Sequence, residues 1–159
     1  MIVLGIDPGC VVCGFALMEK KDRKVFILDY GYIKMSAKKS LPERLVIFHD
    51  HFEKMLHKWP IDTIALETPF LGKNAQNFLK LGYLRGILYL LAQKHNVKTI
   101  DLSPREIKRS VTGFGGADKD QVARVILQFF PKLSMPEKLD VTDALAITLC
   151  GVWHKQYNV

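Results

Sequence analysis

Four carboxylates stand where reactive groups are commonly placed. Asp7 follows the apolar run IVLGI at 2–6, and Glu67 ends a second apolar segment, DTIALE at 62–67. Asp140 and Asp143 lie three residues apart at the head of the last helical pattern, so they share one helix face. Catalytic groups in open α/β sheets gather outside the carboxyl ends of strands, which makes Asp7 and Glu67 neighbours if their strands are adjacent. Four converging carboxylates repel one another, and a divalent cation is the economical compensation. No Cys or His accompanies them in this pattern, and an all-oxygen set favours Mg²⁺ or Mn²⁺. Two such ions, about 3.5–4 Å apart, clamp the attacking and leaving oxygens of a phosphodiester. That is nuclease chemistry. A plainer account stands beside it: an Asp before Pro8-Gly9 shapes a turn, and acids in a first helical turn favour the helix dipole.

The elements that must position these groups can be read from periodicity. Residues 2–6, 14–19 and 25–33 read as three strands in an antiparallel meander, the last two separated by the polar stretch KKDRK. Apolar residues at 41, 45, 48, 52, 55, 56 and 59 predict a helix that Pro60 stops, followed by the strand 62–67. A second helix is expected over about 75–95, in which Gly82 and Gly86 leave one face smooth for close approach of another helix. The strand 97–102 precedes Ser103-Pro104-Arg105-Glu106, a capping box with proline at the first helical position. Gly113 to Asp118 reads as a flexible loop, 118–130 as a helix and about 137–155 as the final helix. Three opening strands followed by alternating helices and strands imply an α/β sheet, part antiparallel and part parallel, covered by helices.

Composition bounds the partners. The chain has 159 residues, 48% of them hydrophobic, which suits one domain over 1–159 with a real core. Its net charge of +7 favours a polyanionic partner. The excess is confined to 68–139, which holds 12 basic and 5 acidic side chains, while the rest of the chain holds 11 of each. No segment has the roughly 18 uninterrupted apolar residues of a membrane span, and the start lacks a secretory pattern, so no membrane role and a cytoplasmic location are expected. Cys10 and Cys13 form a C-x-x-C, but the further soft ligands that zinc would want are not spaced for it; two small side chains at a strand turn is the preferred reading.

In this order the motifs resemble a known family. Leu4-Gly5-Ile6-Asp7-Pro8-Gly9, Ala65-Leu66-Glu67 with Phe70, Lys73-Asn74-Ala75, Leu79-Lys80-Leu81-Gly82 with Arg85-Gly86, the Lys108 helix, Gly113-Phe114-Gly115 with Lys119, and Asp140-Val141-Thr142-Asp143-Ala144-Leu145-Ala146 together resemble RuvC, the bacterial Holliday-junction resolving endonuclease. The resemblance implies a ribonuclease-H-like mixed sheet flanked by helices. It also implies a homodimer that nicks two strands of a four-way DNA junction symmetrically in recombination and repair, leaving 5′-phosphate and 3′-hydroxyl ends. By it, Asp7, Glu67, Asp140 and Asp143 hold Mg²⁺, two ions per site with Mn²⁺ as substitute. Lys108 and Lys119 act near the scissile phosphate, and Phe70 stacks on junction bases. Lys73, Asn74, Lys80, Arg85 and Arg105 complete the expected DNA contacts, and a branch-migration helicase complex is a further implied partner. Taken alone, a basic-region lysine is an ordinary phosphate contact, a turn aromatic is a core plug, and the glycine loop is unspecialised.

The chain departs from the family pattern at Cys10, Val11 and Cys13, where small hydroxyl residues and often a basic residue are usual. A thiol is a weak hydrogen-bond donor, so phosphate contacts there are weakened. Three other functions compete: a ribonuclease-H-like nuclease acting on RNA or flaps, a non-catalytic junction-binding protein, and an actin-like kinase or ATPase. The last needs two such lobes, and the length supplies one.

Overall fold

The structure is a computed structural model that describes residues 1–154 except Phe70, Leu71, Lys73 and Met135. Five strands form one sheet in the order β3-β2-β1-β4-β5, built from β1 (Ile2–Asp7), β2 (Val12–Lys21), β3 (Lys24–Lys34), β4 (Thr63–Glu67) and β5 (Lys98–Leu102). β1, β2 and β3 pair antiparallel, and β4 and β5 run parallel to β1. The expected part-antiparallel, part-parallel sheet is therefore present, and each strand begins and ends within two residues of its expected limits. Between β2 and β3 the chain reverses at Asp22-Arg23, with Asp22 in the left-handed region at φ 53°, a conformation that a short polar side chain tolerates.

Among the described residues five helices cover the sheet: α1 (Leu41–Lys58), α2 (Ala75–Lys94), α3 (Pro104–Thr112), α4 (Lys119–Phe129) and α5 (Leu139–Trp153). Three of them begin with reciprocal capping boxes, Ser40 with Glu43, Ser103 with Glu106, and Asp118 with Gln121. Each box satisfies two otherwise orphaned backbone donors, which fixes where the helix starts. The Ser103 box matches the sequence reading. The other two lie in segments where periodicity alone set the helix start.

Strand alternation divides the core into two layers. Leu4, Ile6, Ile64 and Leu66 point to the side where α1 and α2 supply Phe48, Phe52, Leu84 and Leu88. Val3 and Ala65 point to the opposite side, where α5 supplies Leu145, Leu149 and Val152, backed by α3 and α4 through Ile107, Val122 and Ile126. Asp7 and Glu67 have the parity of Val3 and Ala65, and so face α5.

α5 lies unusually close to the sheet. A Cβ at Gly5 would fall 2.1 Å from Thr148 Oγ1, and one at Gly14 would fall 2.0 Å from the Asp140 carbonyl oxygen. Only glycine permits either approach. Thr148 Oγ1 donates within its helix to the Ala144 carbonyl at 2.6 Å and stands 3.2 Å from the Ala16 carbonyl of β2. The helix is thereby set both in height and in rotation, and with it the two aspartates of its first turns.

Candidate active site

The site begins with register. β1 and β4 run side by side with Ile6 opposite Leu66, so the next residues on each strand, Asp7 and Glu67, sit together at the carboxyl ends. Asp140 and Asp143 arrive from α5, with Asp140 in its first turn. Gly14, paired with Asp7 across the β1–β2 ladder, is the residue over which Asp140 passes. A cleft of about 210 Å³ opens beside these groups, lined by Glu67, Lys108, Lys119 and Asp143 over walls that include Ile107, Val122 and Ile147.

The electrostatics show how closely the acids converge. Burial, followed by repulsion from Asp143, Asp140 and Glu67, pushes the Asp7 carboxyl up to about 7, with Lys119 opposing the rise. Burial and the Asp143 charge raise Glu67 as well, against Lys119 and Lys108. Lys119 donates from Nζ to Asp143 Oδ2 at 2.7 Å. That hydrogen bond and the charges of Asp143, Asp7 and Asp140 outweigh partial burial and hold its ammonium above the usual range. Two lysines act here against four carboxylates, so without further positive charge Asp7 takes a proton near neutrality. A hard, all-oxygen donor set under mutual repulsion fits divalent cations of the Mg²⁺ or Mn²⁺ class.

Six expected site residues are thus brought together: Asp7, Glu67, Asp140, Asp143, Lys108 and Lys119. Phe70 and Lys73, the expected base-stacking and phosphate contacts, lie outside the described residues. Asn74 is exposed and caps α2, its side-chain oxygen accepting from the Asn77 N–H at 3.0 Å. Lys80 is half-buried and its charge acts on Cys10. Arg105 is exposed beside Gly115, whose Cβ position would fall 2.7 Å from Arg105 Cγ.

Arg85 requires a correction. Expected as a DNA contact, it is 7% exposed and turned inward. Nη1 donates to the Glu67 carbonyl at 2.7 Å, and Nη2 donates to the Tyr89 hydroxyl at 2.6 Å and pairs with Asp101. Its fork is occupied in holding the end of β4, which makes it a positioning residue for Glu67. The loop expected after α3 is present, with defined contacts. Gly113 caps the helix at φ 80°, and the Phe114 N–H donates to Thr112 Oγ1 at 3.1 Å, so a specific turn delivers Lys119 at the start of α4.

Other contributors had weaker signals. Arg44 of α1 donates from Nη1 to the Cys10 carbonyl at 3.1 Å, which with Lys80 brings two positive charges to the β1–β2 connection. No local pattern marks such a contact across 34 residues. Gly14 was visible only as a residue in a strand. Of the C-x-x-C pair, Cys10 lies in the β1–β2 connection and Cys13 is buried in β2, where burial raises its thiol far above its ordinary ionisation range.

A mixed sheet with acids at the carboxyl ends of adjacent parallel strands, and two more on the helix crossing them, defines a ribonuclease-H-like nuclease. The family profile "Crossover junction endodeoxyribonuclease RuvC" matches residues 3–151. A relative of that name from Chloroherpeton thalassium is 41% identical over 151 residues, spanning 95% of this chain and 81% of the relative. Two solved structures share the fold. Thermus thermophilus RuvC has a TM-score of 0.85 at 27% identity, covering 96% of this chain and 93% of that one. The T. thermophilus RuvC complex with Holliday junction substrate has a TM-score of 0.86 at 24% identity, with the same coverage of each chain. The chain belongs to the RuvC family of crossover junction endodeoxyribonucleases.

Proposed function

We propose that this protein is a Mg²⁺-dependent, structure-selective endonuclease that resolves four-way DNA junctions by paired symmetric nicks. The observation that carries the reading is the convergence of Asp7, Glu67, Asp140 and Asp143 within the family's fold, where burial and then mutual repulsion raise Asp7 to about 7. Those four residues would hold two Mg²⁺ ions, for which Mn²⁺ is a chemical substitute. When bound, the ions supply Lewis acidity at the phosphodiester and lower the pKa of water. The chain positions these groups: β1 and β4 present two acids in register, Arg85 holds Glu67, and the Gly14 crossing sets Asp140. Lys119 and Lys108 supply cationic donors at the mouth of the cleft, suited to charge developing on phosphate. Lys80 and Arg105 extend a positive frame for the DNA backbone. Phe70 and Lys73 remain part of this reading as a base-stacking and a phosphate contact.

A homodimer gives the symmetric cut its geometry, because a C₂ pair presents two identical sites to a nearly two-fold junction. The outer face of α2 supports it. Leu79, Tyr83 and Leu90 are 56%, 43% and 58% exposed there, at helical spacing with Gly82 and Gly86. A Cβ at either glycine would meet nothing within 4 Å, so nothing described in this chain explains their smallness, whereas a facing helix would. Gly86→Leu should leave the protomer folded and break the dimer in sedimentation equilibrium. We read residues 1–159 as one nuclease domain. No helix among the described residues is long and apolar enough to cross a membrane. The proposed substrate is DNA in the cytoplasm.

The deciding experiment compares wild type with Asp143→Asn on a synthetic four-way junction. Wild type should give paired nicks at symmetric positions with 5′-phosphate ends in Mg²⁺ or Mn²⁺, and the variant should bind without cutting. Binding without symmetric nicks by wild type, or equal cleavage of RNA–DNA hybrids, would refute the assignment.

A further inference from the structure

A second group of metal-ligating side chains lies at the far end of the molecule. Glu53 and His57 are four residues apart on α1, and His95 caps the end of α2. One ligand atom from each lies within 4.8 Å of the other two. α1 leads into the start of β4 and α2 into the start of β5, so the group sits at the amino ends of these strands. Glu67 marks the carboxyl end of β4, and Asp7 that of β1, which runs parallel to it.

The donor types differ from those of the nuclease site. Glu53 Oε1 stands 3.5 Å from His57 Nε2, and Glu53 Oε2 stands 3.3 Å from His95 Nε2. Oε2 is buried, with the His95 imidazole as its neighbour. The two imidazoles meet edge to face with centroids 4.9 Å apart. Bonds of about 2.0–2.2 Å in a tetrahedron place ligand atoms about 3.3–3.6 Å apart. Each imidazole meets one carboxylate oxygen at that spacing, His57 at Oε1 and His95 at Oε2, so a metal held through Oε2 already has His95 in place. Closing the remaining gap requires a small rotation of His57, whose side chain is 69% exposed and free to make it. Lys94 Nζ, 3.6 Å from Glu53 Oε1, is the cation a metal would displace.

We infer that Glu53, His57 and His95 form a binding site for Zn²⁺ or a similar borderline transition metal, joining the carboxyl ends of α1 and α2. Two imidazoles and one carboxylate are the donors of three-ligand zinc sites with one position left open, and nitrogen donors select against Mg²⁺. The carboxylate cleft and this site are thereby separated by chemistry as well as by position. The inference does not depend on what the carboxylate cleft does.

The test titrates the full chain with Zn²⁺, and in parallel with Co²⁺ as a visible reporter, in millimolar Mg²⁺ so that the hard site is occupied. Wild type should take up one equivalent, show the d–d absorption of four-coordinate Co²⁺, and gain on the order of 5–10 °C in Tm at a hundredfold excess over Kd. His57→Ala and His95→Ala should each weaken Zn²⁺ binding by more than about 100-fold, beyond the loss of an outer-sphere contact. Junction cleavage and the metal-free Tm of exposed His57→Ala should stay unchanged. Lys94→Met should tighten binding. Failure of wild type to bind Zn²⁺ at micromolar concentration, or equal binding by wild type and both histidine variants, would overturn the inference.

Discussion

Replacing Asp7 with Asn should make the metal-free protein more stable at neutral and alkaline pH. In the folded chain the Asp7 carboxyl is raised from 3.8 to about 7 by burial and by the acids around it. Between those values the folded state holds a proton that the unfolded state has released. The slope of unfolding free energy with pH follows protons bound in the unfolded state minus those bound in the folded state, which is negative here. Asp7 therefore costs nothing below about pH 4, progressively destabilises the fold as pH rises, and exerts its full effect above about pH 7. About three pKa units at about 1.4 kcal/mol each set a ceiling near 4 kcal/mol. A buried amide still loses its hydration, which offsets part of the gain, so about 2–3 kcal/mol is expected from Asp7→Asn.

Urea denaturation of both proteins in EDTA, from about pH 4.5 to about pH 8, isolates this contribution because every other titrating group is common to the pair. The variant should be nearly equal to wild type at the acid end and ahead by 2–3 kcal/mol at the alkaline end, about 4–12 °C in Tm for a chain of this size. Saturating Mg²⁺ should close or invert the gap, since only wild type retains the full ligand set. A variant no more stable than wild type at about pH 8 without metal would refute the reasoning. So would a metal-free advantage that grows toward acid pH.

Proton and metal compete for the same carboxylate, so the Mg²⁺ concentration giving half-maximal cleavage should rise by up to about tenfold for each pH unit below about 7; a metal dependence flat from about pH 5.5 to 7.5 would refute this. Gly14→Ala drives a methyl into the Asp140 carbonyl, and should lower both stability, by about 2–4 kcal/mol, and Mg²⁺ affinity as read by calorimetry. Arg85→Met should cost about 2–4 kcal/mol in denaturation, because it leaves the Glu67 carbonyl without its donor and Asp101 without its cation. Arg85→Lys, lacking the planar fork, should rescue little, and neither change should alter the salt dependence of junction binding. Arg105→Ala should lower that slope by about one, as expected of a phosphate contact.

The parts of this molecule that could be read from its sequence are those set by local rules. Strand ends followed by Asp7-Pro8 and Glu67-Thr68-Pro69, the 3.6-residue stripe of α1 and the Ser103 capping box each need only a few neighbouring residues to be recognised. Asp7 and Glu67 could be placed at strand ends, but their adjacency awaited the β1–β4 register, which pairs residues 60 positions apart. Arg85 shows where the reading failed. A basic residue in a basic region looks like a phosphate contact, and its burial is decided by Glu67, Tyr89 and Asp101, which α2 and the β4–β5 edge bring to it. Gly14 was equally silent, since a glycine in a strand is explained only by the helix backbone that crosses it.

These exceptions share a cause. An acidic centre that must remain partly unsatisfied until metal arrives cannot also optimise the metal-free fold. The surrounding chain therefore has to hold the acids in place by contacts other than their own attractions. Gly5 and Gly14 let α5 settle so low that Asp140 and Asp143 cannot retreat from Asp7, and Arg85 grips the backbone of Glu67 and leaves its carboxylate free. Lys119 neutralises one acid at the exposed mouth of the cleft, from which its ammonium can turn toward phosphate. The net charge of +7 gives no hint of this arrangement, because the basic frame and the acidic centre enter that total with opposite signs.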